Sequence, residues 1–299
     1  MVKFSQNKMD IQRWLNAPIE KIIFVALDIE TTGLSPVEDR IVEIGGIKFT
    51  TKEVRGDFHS LVNPGIPIPH HVSRIHGITD EDVKGKPNIR KVLVSLKEFL
   101  DWDTLVIFYN AWFDLSFLGK AFYDYGISPP SLPVIDLYQI IKTYRHLLPV
   151  EKGLSLKKVV EGMGRKRNFH FHRAVEDSLA VKEIFLRVLE KTGVKKLREL
   201  IQEKNIIELK DGFLPGIKLQ EELPFLNPWV ENRERIVIEY KWEGGSKFLE
   251  IIPLDIVKAG KKFYIYASLL PSFKKKFFEL RKISGFIKGE KKYPGLFSG

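Results

Sequence analysis

The sequence predicts an α/β fold, a mixed sheet with helices on both faces, followed by a small C-terminal β-barrel-like domain. Three observations lead to this prediction. Apolar runs typical of strands come first, at residues 21–30, 40–49 and 54–62. Helix and strand patterns then alternate up to residue 191. Beyond residue 230 the chain contains short alternating strand segments instead.

The elements of the first region follow from apolar periodicity. Short apolar runs predict further strands at residues 104–109 and 133–135. Apolar stripes spaced three and four residues apart predict helices. These helices cover residues 89–100, 112–125, 136–147, 155–162 with Ser155 as N-cap, and 174–191.

Two carboxylates end the first predicted strand. Asp28 and Glu30 follow six apolar residues and precede a Thr-Thr-Gly turn signal. Because side chains alternate along a strand, both acids point to the same face. Adjacent buried carboxylates repel each other and lose solvation, and a divalent cation between them compensates for both effects. The alternative is an acidic strand end that meets solvent.

Three more candidate residues lie in or near the first turns of predicted helices. Asp114 falls in the first turn of helix 112–125, where favourable interaction with the helix dipole is an ordinary explanation. His172 and Asp177 are five residues apart, which on one continuous helix separates them by roughly 140°. We therefore expect His172 in the loop or first turn. A zinc site at His170 and His172 is the alternative, but the chain has no cysteine to complete it.

Together these segments resemble the three motifs of the DEDDh 3′–5′ exonucleases, a group typified by the proofreading epsilon subunit of bacterial DNA polymerase III. The resemblance covers about residues 20–191. Its motifs are Asp28-x-Glu30-Thr, Asn110-x-x-Phe113-Asp114 and His172-x-Ala174-x-x-Asp177. The segment Ile75–Thr79 is similar to a further segment of the epsilon-like branch. The resemblance implies a ribonuclease H-like architecture.

The resemblance also implies a reaction and its site. Two divalent cations, Mg²⁺ or Mn²⁺, would promote phosphodiester hydrolysis at a 3′ end and release nucleoside monophosphates. Their ligands would be Asp28, Glu30, Asp114 and Asp177, and His172 would be the general base. A third set of residues is predicted to bind substrate. It consists of Thr31, Leu34, His76, Asn110 and the basic pair Arg165 and Arg167.

The positive charge of the chain is concentrated near its C-terminus. The net charge is +10, and residues 258–299 contain eleven Lys or Arg against two Glu. Basic surfaces bind polyanions by releasing counterions, so this region is a candidate nucleic-acid contact. A solvated lysine-rich surface is the alternative. The sequence has no apolar run of transmembrane length and no signal-peptide pattern, which predicts a cytoplasmic protein without membrane contact.

The predicted organisation has three parts: a nuclease domain at 1–195, a linker or irregular segment at 196–230, and a small basic β domain at 231–299. A helical pattern continues through 194–204, and glycines and prolines follow it. The C-terminal strand segments, including one at 276–283, resemble the WYL domain of bacterial regulators. Phe263-Tyr264-Ile265 stands where that family has Trp-Tyr-Leu.

Two functions compete. The first is a metal-dependent 3′–5′ exonuclease of DNA repair or proofreading. Its predicted substrate is single-stranded DNA or frayed 3′ ends, with RNA as the alternative, and its predicted partner is a DNA polymerase or repair protein. The second is a nucleic-acid- or ligand-sensing regulator, in which the C-terminal domain is the working part and the nuclease fold only binds ends. The intact set of four acids and one histidine favours the first.

Overall fold

The computed structural model describes residues 10–150, 153–163, 172–219, 223–242 and 245–295. The chain divides into two compact units, Met1–Asp211 and Gly212–Gly299. None of the helices in these described ranges combines the length and the apolar character that a membrane span requires.

The first unit contains a six-stranded sheet in the order β3-β2-β1-β4-β5-β6. The strands are β1 Ile23–Thr31, β2 Ile41–Phe49, β3 Val54–Leu61, β4 Thr104–Phe108, β5 Pro133–Asp136 and β6 Ile207–Glu208. The first three strands pair antiparallel, whereas β4 and β5 run parallel to β1. The helices are α1 Ile11–Asn16, α2 His70–His76, α3 Asp80–Val83, α4 Ile89–Phe99, α5 Trp112–Asp124, α6 Leu137–Thr143, α7 Leu156–Gly162 and α8 Ala174–Thr192.

The sheet separates two hydrophobic cores. Phe24 and Ala26 on one face of β1 pack with apolar residues of α6, α7 and α8. Val25 and Leu27 on the other face pack with apolar residues of α4 and α5. Because successive strand residues point to opposite faces, a strand buried on both sides needs a continuous apolar run. The predicted mixed sheet with helices on both faces is confirmed.

Helix α8 lies directly on strand β2. A Cβ atom at Gly45 would stand 2.3 Å from the Ala174 carbonyl carbon and from the Val175 nitrogen. The Ser178 hydroxyl donates a hydrogen bond of 2.9 Å to the Gly45 carbonyl oxygen. The missing side chain at Gly45 therefore lets the first turn of α8 approach the sheet backbone closely.

The second unit contains a seven-stranded sheet in which the order β11-β10-β9-β8-β12-β13 is extended by β7, which pairs with β9. The elements are β7 Phe213–Leu214, α9 Leu226–Glu231, β8 Ile236–Trp242, β9 Gly245–Ala259, β10 Lys262–Leu269, β11 Lys274–Glu279, β12 Ile283–Lys288 and β13 Lys291–Pro294. Neighbouring strands pair antiparallel. Trp229 of α9 belongs to the core formed on one face of this sheet.

The predicted small C-terminal β domain is present as an antiparallel sheet, but its described strands do not close into a barrel. Among the described residues, β11 and β13 end the strand order without pairing with each other, so the sheet is open. The predicted strand at 276–283 is two strands, because a 3₁₀ turn at Leu280–Lys282 separates β11 from β12. Closure depends on pairing between strands far apart in sequence, which local alternation does not encode.

The observed division of the chain differs from the predicted one. Residues that we assigned to a linker form elements of both units, because β6 pairs with β5 and β7 pairs with β9. The helical pattern at 194–204 forms two 3₁₀ turns, Leu197–Glu199 and Glu203–Asn205. Strands of two residues carry no periodic signal, which is why the sequence pattern misses them.

We expect Gly45→Ala to lower the free energy of unfolding by about 1–3 kcal/mol, because the added methyl group overlaps the backbone of α8. Gly56→Ala on the adjacent strand is the matched control, since its Cβ meets no atom closer than 4.0 Å. Urea denaturation measures both variants. Equal stability of the two would contradict the close approach of α8 to β2.

Candidate active site

Four carboxylates come together near the end of the central strand. Asp28 and Glu30 lie on one face of β1, Asp114 lies in the first turn of α5 and Asp177 in the first turn of α8. Asp114 and Asp177 are buried, while Asp28 and Glu30 are partly buried. The charges of Asp114, Asp177 and Glu30 all act on Asp28, so the four side chains form one electrostatic cluster.

His172 joins this cluster from the loop before α8. One ligand atom each of Glu30, His172 and Asp177 lies within 4.8 Å of the other two, a spacing that can hold a metal ion. His172 has a left-handed backbone with φ of 67°, and its N–H donates a hydrogen bond of 3.1 Å to Asp177 Oδ2. Its side chain is exposed. His172 therefore lies outside helix α8, as its spacing from Asp177 predicted.

The clustered carboxylates resist ionisation. Burial, followed by the charge of Asp114, raises the pKa of Asp28 well above its ordinary value. Burial is also the largest cause that raises the pKa of Asp114. Burial and then Asp177 raise the pKa of Glu30 to about 8, and burial raises the pKa of Asp177 to about 7. Full ionisation near neutral pH thus requires a compensating positive charge.

The donor set fits a divalent cation. Oδ1 of Asp177 is buried and has no hydrogen-bond partner among the described residues. Carboxylate oxygens are preferred ligands of Mg²⁺ and Mn²⁺, and a buried oxygen without a donor is suited to such an ion. Asp28, Glu30, Asp114 and Asp177 would hold the cations, although the spacing given above for a metal ion includes only Glu30 and Asp177 of these four.

Two of the predicted substrate residues differ strongly in exposure. Thr31 is buried, and its hydroxyl donates a hydrogen bond of 2.6 Å to the Gly33 carbonyl oxygen. Leu34 is 82% exposed in the following turn. The Leu34 side chain is therefore accessible, whereas the Thr31 side chain already has a local partner.

His76 and Asn110 lie at helix boundaries. His76 is buried at the end of α2, and its Nδ1 accepts a hydrogen bond of 3.0 Å from the Ile78 N–H. Burial lowers its pKa, which the charges of Glu43 and His172 also affect, so His76 lies near the site. Asn110 is exposed, has φ of 63°, and donates its N–H to Asp136 Oδ1 at 3.1 Å. The predicted contacts Arg165 and Arg167 and the alternative zinc ligand His170 lie outside the described residues.

Sequence analysis missed Glu43 and Arg173. Glu43 is buried on β2 as the cross-strand partner of Glu30, and Arg173 directly follows His172. Burial opposes ionisation of Glu43, but hydrogen bonds from Arg173, the Ala174 N–H and His59 hold its pKa below the usual value. A charge inside the apolar run of β2 was the available sequence signal.

Fold and site together define a nuclease of the DEDDh type. The exonuclease family named RNase T matches residues 25–185, which is more than half of the chain. The chain belongs to this exonuclease family. The match ends before the second unit, for which the WYL resemblance stays a prediction.

A curated relative and two solved structures are similar to this chain. The PolC-type DNA polymerase III of Caldanaerobacter subterraneus subsp. tengcongensis is 38% identical over 180 residues, which cover 59% of this chain and 12% of the polymerase. The chain spans about an eighth of the length of the curated relatives it matches first.

The solved structures establish the fold. Exonuclease I of E. coli in complex with a dT13 oligonucleotide has a TM-score of 0.52 and 15% identity, covering 79% of this chain and 55% of that one. The nuclease domain of 3′hExo, a DEDDh family member bound to rAMP, has a TM-score of 0.50 and 17% identity. The match covers 58% of this chain and 94% of that one. The ribonuclease H-like exonuclease fold that the motifs implied is confirmed.

We expect the protein without divalent cations to lose stability as pH rises. In the folded chain the pKa of Asp177 is about 7 and that of Glu30 about 8, against ordinary values of 3.8 and 4.5. Between these values the folded state binds more protons than the unfolded state at these two groups. Their contribution to stability is therefore fully present below the ordinary pKa values and is lost as pH rises to about 8. Urea denaturation in EDTA at about pH 5, 6.5 and 8 measures this loss.

Saturating Mg²⁺ or Mn²⁺ should reduce that dependence, because the cation replaces the protons on the carboxylates. Glu30→Gln should lose less stability between pH 6.5 and 8 in EDTA than the wild-type protein, because it removes a group whose pKa of about 8 makes it ionise in this range. A pH dependence that is equally steep with and without metal would contradict a cation site at these residues.

Proposed function

We propose that the protein is a metal-dependent 3′–5′ exonuclease that hydrolyses the terminal phosphodiester bond and releases nucleoside monophosphates. The observation that carries this proposal is the convergence of four carboxylates with raised pKa values and one exposed histidine at the end of β1. Membership of an exonuclease family supports it.

In the proposed site, carboxylates on a strand and two helices bind the cations, and an exposed histidine transfers the proton. Bound cations, Mg²⁺ or Mn²⁺, would supply activation of the attacking water and stabilisation of charge on the leaving oxygen. The four carboxylates, which lie on a strand and two helix starts, would hold these cations. Helix starts also offer dipoles that favour negative charge, so Asp114 and Asp177 are suited to this position.

His172 is the proposed general base. A base must reach the attacking water, and His172 is exposed while one of its ring nitrogens lies in the same cluster as Glu30 and Asp177. An imidazole has an unperturbed pKa near neutrality, which suits a group that accepts and then releases a proton. The hydrogen bond from the His172 backbone N–H to Asp177 Oδ2 connects the proposed base with a proposed metal ligand.

The terminal nucleotide would contact the residues around this cluster. We assign Leu34, His76 and Asn110 to the nucleotide pocket, and Thr31 and neighbouring amides to the 3′-hydroxyl. Arg165 and Arg167, which lie outside the described residues, stay predicted phosphate contacts. The exposure of Leu34 and the nearness of His76 to the charges of the site support the first assignment. DNA is the proposed substrate, as single strands or frayed 3′ ends, because the curated relatives are DNA polymerases.

The proposed process is proofreading or repair, with a DNA polymerase or repair protein as partner. The similarity to the PolC-type polymerases supports this context. A regulator that only binds nucleic-acid ends is the second candidate. It would not need four clustered carboxylates, which destabilise the metal-free fold at neutral pH and repel a phosphate backbone.

We expect Asp28→Ala to abolish release of mononucleotides from a 3′-labelled single strand, and His172→Ala to reduce the rate by about 10²- to 10⁴-fold. The first variant loses a ligand, and the second loses the base while keeping all four carboxylates. Digestion of 3′- and 5′-labelled DNA and RNA with Mg²⁺ or Mn²⁺ measures rate, direction and preference. Exposed His146→Ala is the control and should digest like the wild-type protein.

Wild-type rates in both Asp28→Ala and His172→Ala would overturn the proposed mechanism. Tight binding of 3′ ends by the wild-type protein, without any cleavage under these conditions, would favour the regulator instead.

The second unit is a proposed contact for the nucleic-acid strand. Lys274, Lys275 and Lys276 are exposed on β11, which lies at an edge of the sheet. Phe273 before them is 65% exposed and offers a ring on which a base can stack. Lysines on an edge strand also prevent edge-to-edge association, which is their alternative role.

We expect replacement of Lys274, Lys275 and Lys276 by Gln to weaken binding of single-stranded DNA. The slope of log K against log salt concentration should also become less negative, by up to about 2 if each lysine neutralises one phosphate. The control replaces Lys191, Lys195 and Lys196, which are exposed at the far end of α8, and removes the same charge. Equal effects of the two triple variants would mean that only net charge matters.

A further inference from the structure

We propose that Glu43 and Arg173 form a positioning pair that fixes the position of His172 relative to the carboxylate cluster. The pair contacts neither the reacting atoms nor the cations in this assignment, and acts through the histidine. The proposal rests on the function proposed above, since it assumes that His172 is the base.

Glu43 is almost completely enclosed by donors. Its side chain is 1% exposed, and Oε1 accepts hydrogen bonds from Arg173 Nη2 at 2.7 Å and lies 2.8 Å from His59 Nε2. Oε2 accepts the Ala174 N–H at 2.9 Å, and Arg173 Nε lies 3.2 Å from both oxygens. A buried carboxylate with this many donors is ionised and fixed in position.

These contacts fasten the chain on one side of His172. Residues 173 and 174 are bound to the sheet through Glu43, while the His172 N–H is bound to Asp177. His172 itself has φ of 67°, a conformation that a residue with a side chain adopts only where its surroundings hold it. The two sets of hydrogen bonds together hold that conformation.

The start of α8 is capped in an uncommon way. Its N-cap residue is Arg173, which makes no capping hydrogen bond, and the Ala174 N–H is satisfied by Glu43 from the sheet instead. A serine or aspartate at the N-cap position would accept the N–H of the second or third helical residue. Glu43 instead accepts the N–H of Ala174, the first helical residue. The long-range contact adds a connection that a local cap lacks, because Glu43 lies opposite Glu30 in the sheet.

The pair therefore connects two of the three elements from which the site is built, strand β1 and the start of α8. Glu30 belongs to β1, whereas His172 and Asp177 belong to α8 and the loop before it. Glu43 on β2 is adjacent to the first element and bonded to the second. This geometry points to control of the distance between the base and the carboxylate cluster, rather than to helix stability alone.

A direct contact between Arg173 and a substrate phosphate is the competing role. The Arg173 side chain is 42% exposed, so part of the guanidinium is accessible. A phosphate contact would depend on Arg173 itself and not on Glu43. The two roles are therefore distinguishable by substitution of each partner.

The first test needs no activity. The measurement is an NMR spectrum of protein isotopically labelled at its seven histidines. The His172 ring signals are assigned by their loss in His172→Ala. We expect Glu43→Gln and Arg173→Lys to shift or broaden these signals. Asp124→Asn, which removes a charge from the part-buried Lys120–Asp124 pair on α5, is the matched control and should leave them unchanged. Unchanged His172 signals in both pair variants would overturn the proposal, even if the wild-type protein is an active exonuclease.

The second test measures single-turnover cleavage with saturating Mn²⁺. We expect Glu43→Gln and Arg173→Gln each to lose about tenfold or more in the single-turnover rate, and the double variant to lose no more than either. KM, measured separately at steady state, should stay within about twofold. In a His172→Ala background the same substitutions should have no further effect, because their action passes through the histidine. Asp124→Asn should match the wild-type rate.

Additional loss in the His172→Ala background, or a raised KM for Arg173→Gln alone, would overturn the positioning role. The second result would identify Arg173 as a substrate contact. An inactive wild-type protein whose His172 signals still respond to Glu43→Gln would count against the exonuclease function while leaving the positioning contact intact.

Discussion

The mutual repulsion of four carboxylates is the constraint on which the arrangement of the first unit depends. Asp28, Glu30, Asp114 and Asp177 meet where solvent is largely excluded, and burial raises the pKa of each. Such a cluster destabilises the fold near neutral pH unless protons or cations neutralise it. The surrounding packing must offset that cost. Two hydrophobic cores, one on each face of the sheet, supply the stabilisation and keep the strand ends in place.

Close packing of α8 on β2 brings Asp177 to the carboxylates of β1. Glycine at position 45 allows the helix start to meet the sheet backbone, and Ser178 bonds to the carbonyl at the same position. Asp177 is thereby delivered to the face of β1 that carries Asp28 and Glu30. A helix seated farther from the sheet would leave Asp177 out of the cluster, although its sequence motif would be unchanged.

Local patterns predict most of the first unit and the residues of the cluster. Alternation along β1 places Asp28 and Glu30 on one face, and the spacing of His172 from Asp177 separates the histidine from the helix, as observed. The Glu43–Arg173 contact joins residues 130 positions apart, so no local pattern contains it. The open edge of the second sheet has the same origin. Alternating residues predict strands there, but the pairing that decides between a closed barrel and an open sheet is long-range.

The two proposed roles in the site, cation ligand and general base, need opposite environments. Ligands for a cation work best when burial and rigid elements fix their spacing, and Asp114 and Asp177 meet this condition in the first turns of helices. A base must exchange protons with water, which burial would hinder, and His172 is exposed. An exposed residue in a left-handed conformation has little packing of its own to hold it. The stiffness that His172 lacks must come from its neighbours, and the buried carboxylate of Glu43 is the group that connects those neighbours to the sheet.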